Sequence, residues 1–138
     1  MSYFVHANEW RSIAIIPEED PIFFEPITLI DLIQAFGALL IFTEDLFTGY
    51  TTDPERVPGG FALYDEDFGA VYGVTQYGIV NALYFDNTFC DCGIPFDDVM
   101  GTMERFAAEH RLVMNDKLLD TVVALGQPGA MNRYFEEL

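Results

Sequence analysis

The pair Tyr77-Gly78 constrains this chain more than any other feature, because strand-like runs flank it and it reads as a tight turn. Phe61–Tyr64, Ala70–Gln76 and Ile79–Phe85 are short apolar and aromatic segments, as expected of three antiparallel strands. Gly78 supplies the positive φ that a two-residue hairpin turn needs. With the turn there, Tyr72 faces Leu83 and Val74 faces Asn81. Both faces of the hairpin carry apolar residues, so helices are expected to cover one face well and the other partly.

The remaining segments fill in an α+β expectation: a small antiparallel sheet of three or more strands packed with about four helices. Ile13–Ile16 reads as an edge strand that stops at Pro17. Thr28 and Asp31 have the spacing of a capping pair. Leu29, Ile30, Leu32, Ile33 and Phe36 then form a deeply buried helix ending near Gly37. Residues 38–42 either continue that helix or become a strand. Thr48–Gly60, with Pro54, Pro58, Gly59 and Gly60, reads as a long loop. Pro95 suits a first helical position, and Phe96, Val99, Met100, Met103, Phe106 and Ala107 form a stripe at helical spacing. A further helix is expected over Asp116–Leu125, capped by Asn115, and a short amphipathic ending at Met131, Tyr134, Phe135 and Leu138. The chain of 138 residues is expected to be one domain, residues 1–138. At this size roughly 65–70% of the unfolded surface is buried, enough to fold without staples.

Charge is the second constraint. There are 23 acidic and 6 basic residues, a net charge of −17. Solubility of a small domain asks for a magnitude of about 2–8. Residues 1–60 carry −8, residues 61–100 carry −7 with no base at all, and residues 101–138 carry −2. Such a chain repels nucleic acid phosphates and anionic membranes and attracts basic proteins. The hairpin gives the excess a place. Asp65, Glu66 and Asp67 precede one strand and Asp86 follows its partner, both at the end opposite Tyr77-Gly78. The segments carrying Asp91 and Asp97-Asp98 leave from that end too. Carboxylates mixed with Phe68, Phe89 and Phe96 make a plausible protein-binding patch. The plainer reading is that acids are ordinary in turns and first helical turns. The 48 residues without a base carry the functional one.

Chemical motifs are sparse. His6 and His110 sit in no recognisable constellation, and no nucleophile elbow, phosphate loop or dinucleotide fingerprint occurs. Cys90-Asp91-Cys92 lacks the second ligand pair of a zinc site and reads as two free thiols of a reducing, cytoplasmic protein. Asp65, Asp67 and Gly69 depart from the EF-hand pattern. Glu44-Asp45 is an adjacent acid pair with no visible cleft. No catalytic, cofactor or metal residues are assigned, and an enzyme is not expected. The N-terminus has no basic-then-apolar leader, and the apolar stretch Leu29–Phe42 is too short and broken for a membrane span.

In size, acidity and the runs FALYDEDFGAVYG and YFDNTFCDCGIPFDD, the chain resembles the small acidic immunity proteins that bacteria make against contact-delivered toxins. The resemblance implies docking on a basic toxin, often a nuclease, with Asp65, Glu66, Asp67, Asp86, Asp91, Asp97 and Asp98 meeting its lysines and arginines. Two alternatives stand beside it. A nucleic-acid mimic, of anti-restriction or anti-CRISPR type, requires acids spaced along an extended surface. A small ligand-binding or structural domain would use its acidity for solubility alone.

Overall fold

Tyr77 and Gly78 close the hairpin with φ of 56° and 79°, the geometry whose twist matches its flanking strands. The computed structural model describes residues 2–18, 27–65, 69–86 and 96–136, without the side chain of Phe96. In chain order the elements are β1 (Tyr3–His6), β2 (Ile13–Pro17), α1 (Leu29–Phe36), β3 (Ile41–Thr43), β4 (Leu46–Tyr50), β5 (Asp53–Arg56) and β6 (Gly60–Asp65). There follow β7 (Gly69–Gln76), β8 (Ile79–Asp86), α2 (Phe96–His110), β9 (Leu112–Asp116), β10 (Thr121–Val123) and α3 (Ala130–Glu136).

The α+β expectation is overturned: the chain is mostly β, 46% strand against 25% helix. Among the described residues there are three helices and two sheets, of seven and three strands, in place of one small sheet with about four helices. Three segments depart from the expectation. Thr48–Gly60 is no long loop, because β4 and β5 pair there, Phe47 opposite Arg56 and Tyr50 opposite Asp53. All four residues of β5 are exposed, so no burial pattern marks the strand, and Pro54 is tolerated because β5 is an edge. Asp116–Leu125 is no helix but the end of β9, a turn, and β10. Ile13–Ile16 is a strand, but β2 lies inside the sheet between β8 and β9. The open choice over residues 38–42 resolves to a turn leading into β3.

Every pairing in the large sheet, ordered β10-β9-β2-β8-β7-β6-β3, is antiparallel. The hairpin register differs by one residue from expectation. Thr75 faces Val80, but Val74 faces Ala82 and Tyr72 faces Tyr84, so Asn81 is the extra residue of a bulge. Gly73 makes the bulge possible, since a Cβ there would fall onto the Ala82 carbonyl oxygen.

The alternation of β residues produces two cores, one on each face of the large sheet. Ile13, Ile15, Phe61, Leu63, Val71, Leu83 and Phe85 point to one face. There α1 packs Leu32 and Phe36, α2 packs Val99, Met103 and Phe106, and α3 packs Met131 and Tyr134. Ala62, Tyr64, Ala70 and Tyr72 point to the other face, against Val5 and Leu46 of the small sheet β1-β4-β5, with Trp10 and Tyr84 alongside. Each fully buried large apolar side chain contributes roughly 1.5–3 kcal/mol. The result is helices, large sheet and small sheet in three layers. Helix α1 begins as the spacing predicts: the Thr28 side chain accepts from the Asp31 N–H, and the Asp31 carboxylate accepts from the Thr28 N–H. Among the described residues no helix is long and apolar enough to cross a membrane.

Candidate functional site

The antiparallel register decides which residues share the sheet end opposite Tyr77-Gly78. Asp65 pairs with Gly69 and Ala70 with Asp86, so the last residue of β6 and that of β8 flank the start of β7. Strand β9 starts beside Pro17 and ends beside Ile13, so Leu112 lies toward the Tyr77-Gly78 end and Asp116 at the end with Asp86. Helix α2 runs into β9 through His110 and Arg111, which places its C-terminus at the turn end. Its 15 residues reach back about 22 Å, bringing its first turn toward the other end. Asp97 and Asp98 lie in that first turn, exposed, where the helix dipole favours them.

The carboxylates gathered there do different things. Asp65 is half-buried, and Asp97 and Asp98 face solvent. Asp86 is 6% exposed and its Oδ2 accepts from the Tyr3 hydroxyl at 2.7 Å, which turns it inward from any partner. Glu66, Asp67, Phe68, Phe89 and Asp91 lie outside the described residues, as do Cys90 and Cys92.

Sequence reasoning missed the β9–β10 turn, which stands at this same end. Asp116, 2% exposed, accepts from the Leu118 and Leu119 N–H groups at 3.0 and 3.2 Å and from the Tyr134 hydroxyl at 2.6 Å. The turn it pins carries Lys117 and Asp120, both exposed, and Leu118 and Leu119 at 70% and 47% exposure. The β-branched run Thr121-Val122-Val123 was the signal for a strand here.

Carboxylates elsewhere divide in the same way. Glu104 holds the start of α3, accepting from the Gly129 and Met131 N–H groups at 3.1 and 3.0 Å. The Asp31 carboxyl is held below its ordinary value by the backbone and side-chain hydrogen bonds of Thr28, with His110 adding in the same direction. Asp45 pairs with Arg56 at 3.0 Å, both well exposed, an arrangement worth less than about 1 kcal/mol. Glu44, Asp53 and Glu55 are exposed around the small sheet.

Both histidines lie against aromatic rings. The His6 ring lies edge-on to Tyr50 at 5.6 Å, and the His110 ring lies against Phe106 at 4.3 Å. Two shallow clefts, of about 280 and 200 Å³, hold Glu44 with Arg56 and Glu18 with Arg111. Neither contains a cysteine, serine or histidine. Among the described residues no group of three or more His, Cys, Asp or Glu side chains is placed to hold a metal ion. Comparison with protein-family models, with curated proteins and with solved structures finds no match to this chain.

Proposed function

We propose that this protein acts by binding, as an immunity-type inhibitor that docks on a basic protein such as a toxin nuclease through the acidic end of its large sheet. One observation carries the reading. The fold uses Asp31, Asp86, Glu104 and Asp116 internally, as hydrogen-bond acceptors. Asp97, Asp98 and Asp120 are left exposed, and Asp120 lies at the same end of the large sheet as the half-buried Asp65, spread across its width from the β9–β10 turn to β6. A net charge of −17 costs stability through self-repulsion, and a cationic partner relieves it while speeding encounter. Asp86 is withdrawn as a contact residue in this reading, since its carboxylate is already engaged by Tyr3.

The test is recovery of partners from source-organism lysate at low salt, release by a salt step, and identification by mass spectrometry, followed by inhibition assays on the recovered protein. Asp97→Lys with Asp98→Lys should weaken the complex at least about tenfold while costing the helix about 1–2 kcal/mol, the dipole contribution of two first-turn acids. An affinity unchanged by the double reversal removes this end from consideration. A second reading, nucleic-acid mimicry, is favoured by Glu44, Asp53 and Glu55, which extend the exposed acid beyond the end onto the small sheet. Recovery of many DNA-binding proteins in place of one stoichiometric partner would select it.

A further inference from the structure

The small sheet covers only half of the large one. Its contacts are with β6, β7 and Tyr84 of β8. On β2, β9 and β10 the side chains facing the same way are Ala14, Ile16, Val113, Asn115 and Val122. Their neighbours Ile13, Ile15, Leu112, Met114 and Val123 pack on the helical side. Ala14, beside Tyr84, is buried at 7%, whereas Ile16 is 38% exposed and Val122 66%, and Val113 and Asn115 are half-buried. Among the described residues no element lies over them. The pinned Leu118-Leu119 turn continues the apolar surface past the end of β10, which is itself the terminal strand of the sheet. This joins exposed aliphatic side chains to a strand edge, which a soluble chain normally blunts with charge or a covering segment.

The charge around this strip is unlike that of the rest of the molecule. Arg111 and Glu18 stand at one end of it, tied through the Glu18 N–H and the Arg111 carbonyl at 2.8 Å. Lys117 and Asp120 stand at the other, with Arg11 and Glu9 just before β2. Three of the six bases of the chain therefore border the strip, each with an acid nearby. Among the described residues neither Arg111 nor Lys117 makes an ion pair. A contact with two-fold symmetry brings a surface against its own copy, so a patch holding both signs is self-complementary where a uniformly acidic one is repulsive.

We propose that a second copy of this chain covers the β2–β9–β10 half-face, packing Ile16, Val113 and Val122 against their symmetry mates. Leu118 and Leu119 lie at the border, and Arg111 and Lys117 meet the partner copy's Glu18 and Asp120. The contact lies apart from Asp65 and Asp97-Asp98 and stands or falls independently of the partner-binding reading.

Salt distinguishes the two. Two chains of −17 repel at long range, and raising ionic strength from about 0.05 to 0.5 M shrinks the screening length from about 14 to about 4 Å. Self-association should therefore tighten several-fold, whereas binding to a basic protein weakens. The experiment is sedimentation velocity of the full chain across protein concentration at both salt levels. The wild type should dimerise, more tightly at high salt. Leu118→Asp with Val122→Asp should weaken the dimer at least about tenfold, and Tyr77→Ser, at the far end and 95% exposed, should leave it unchanged. Leu118→Ser with Val122→Thr provides a milder pair if the aspartates disturb folding. A wild type that stays monomeric at about 200 μM in 0.5 M salt overturns the proposal. So does a dimer indifferent to both double variants.

Discussion

Replacing Asp116 by alanine should destabilise the fold by about 2–4 kcal/mol, although the residue packs no apolar surface. The magnitude comes from its three hydrogen bonds. Tyr134 is 3% exposed, and the loss of the Asp116 acceptor for its buried hydroxyl costs about 1–3 kcal/mol. The Leu118 and Leu119 N–H groups sit in an exposed turn and can rehydrate, so each loses only about 0.5–1.5 kcal/mol. Part of the sum is offset because a carboxylate is no longer held out of water. In urea, with a slope of about 2 kcal/mol/M for a domain of this size, the midpoint should fall by about 1–2 M at unchanged slope. Tyr134→Phe alone should cost about 1–2 kcal/mol, since the two turn bonds survive. The double variant is the decisive member. With the hydroxyl gone, Asp116→Ala no longer takes an acceptor from it, so the pair should be no less stable than Asp116→Ala alone. Strict additivity of the two single losses, or a loss below about 0.5 kcal/mol for Asp116→Ala, would refute the claim that this carboxylate organises the turn.

Gly73→Ala should cost about 2–4 kcal/mol by urea denaturation, because the new methyl meets the Ala82 carbonyl of the adjacent strand and backbone has to move; a loss under about 1 kcal/mol would show that the bulge at Asn81 adapts freely. The Tyr72 hydroxyl titrates above its ordinary 10.0, chiefly because burial disfavours the phenolate, with the Arg11 N–H bond pulling the other way and the charges of Asp86, Tyr84 and Glu9 adding to the rise. The unfolded chain therefore loses this proton first. The contribution of Tyr72 is fully present below about pH 10 and falls as pH rises beyond it, so unfolding free energy measured from pH 9 to 11 should decline less steeply in Tyr72→Phe than in the wild type.

The parts of the fold legible in the sequence are those specified within a few residues. Tyr77-Gly78 closes its hairpin because the turn's own φ values set it. Thr28 and Asp31 cap α1 because both partners lie within one turn. The stripe from Val99 to Ala107 makes α2, because a single helix face suffices to bury it. The convergence of Asp65 and Asp86 at one end followed from hairpin geometry alone, while the inward turn of Asp86 depends on Tyr3, a contact 83 residues away.

Asp116 shows where local signals stop being enough. In the sequence it reads as the start of a helix, and it does cap the N–H groups two and three residues on. Those bonds serve a helix start and a tight turn equally, and the outcome turned on Asp120 taking φ of 51° and on β9 pairing with β2, a segment about a hundred residues earlier. Strand β5 buries nothing and has no pattern to read, β1 is held by parallel pairing with β4, and the bulge at Asn81 answers to Gly73 opposite. The sequence by itself determined the turns, caps, apolar periodicities and charge excess, because these are energies of neighbouring residues. Only the tertiary structure decided which strands became neighbours and which carboxylates turned inward, because those depend on groups that meet only once the chain has folded.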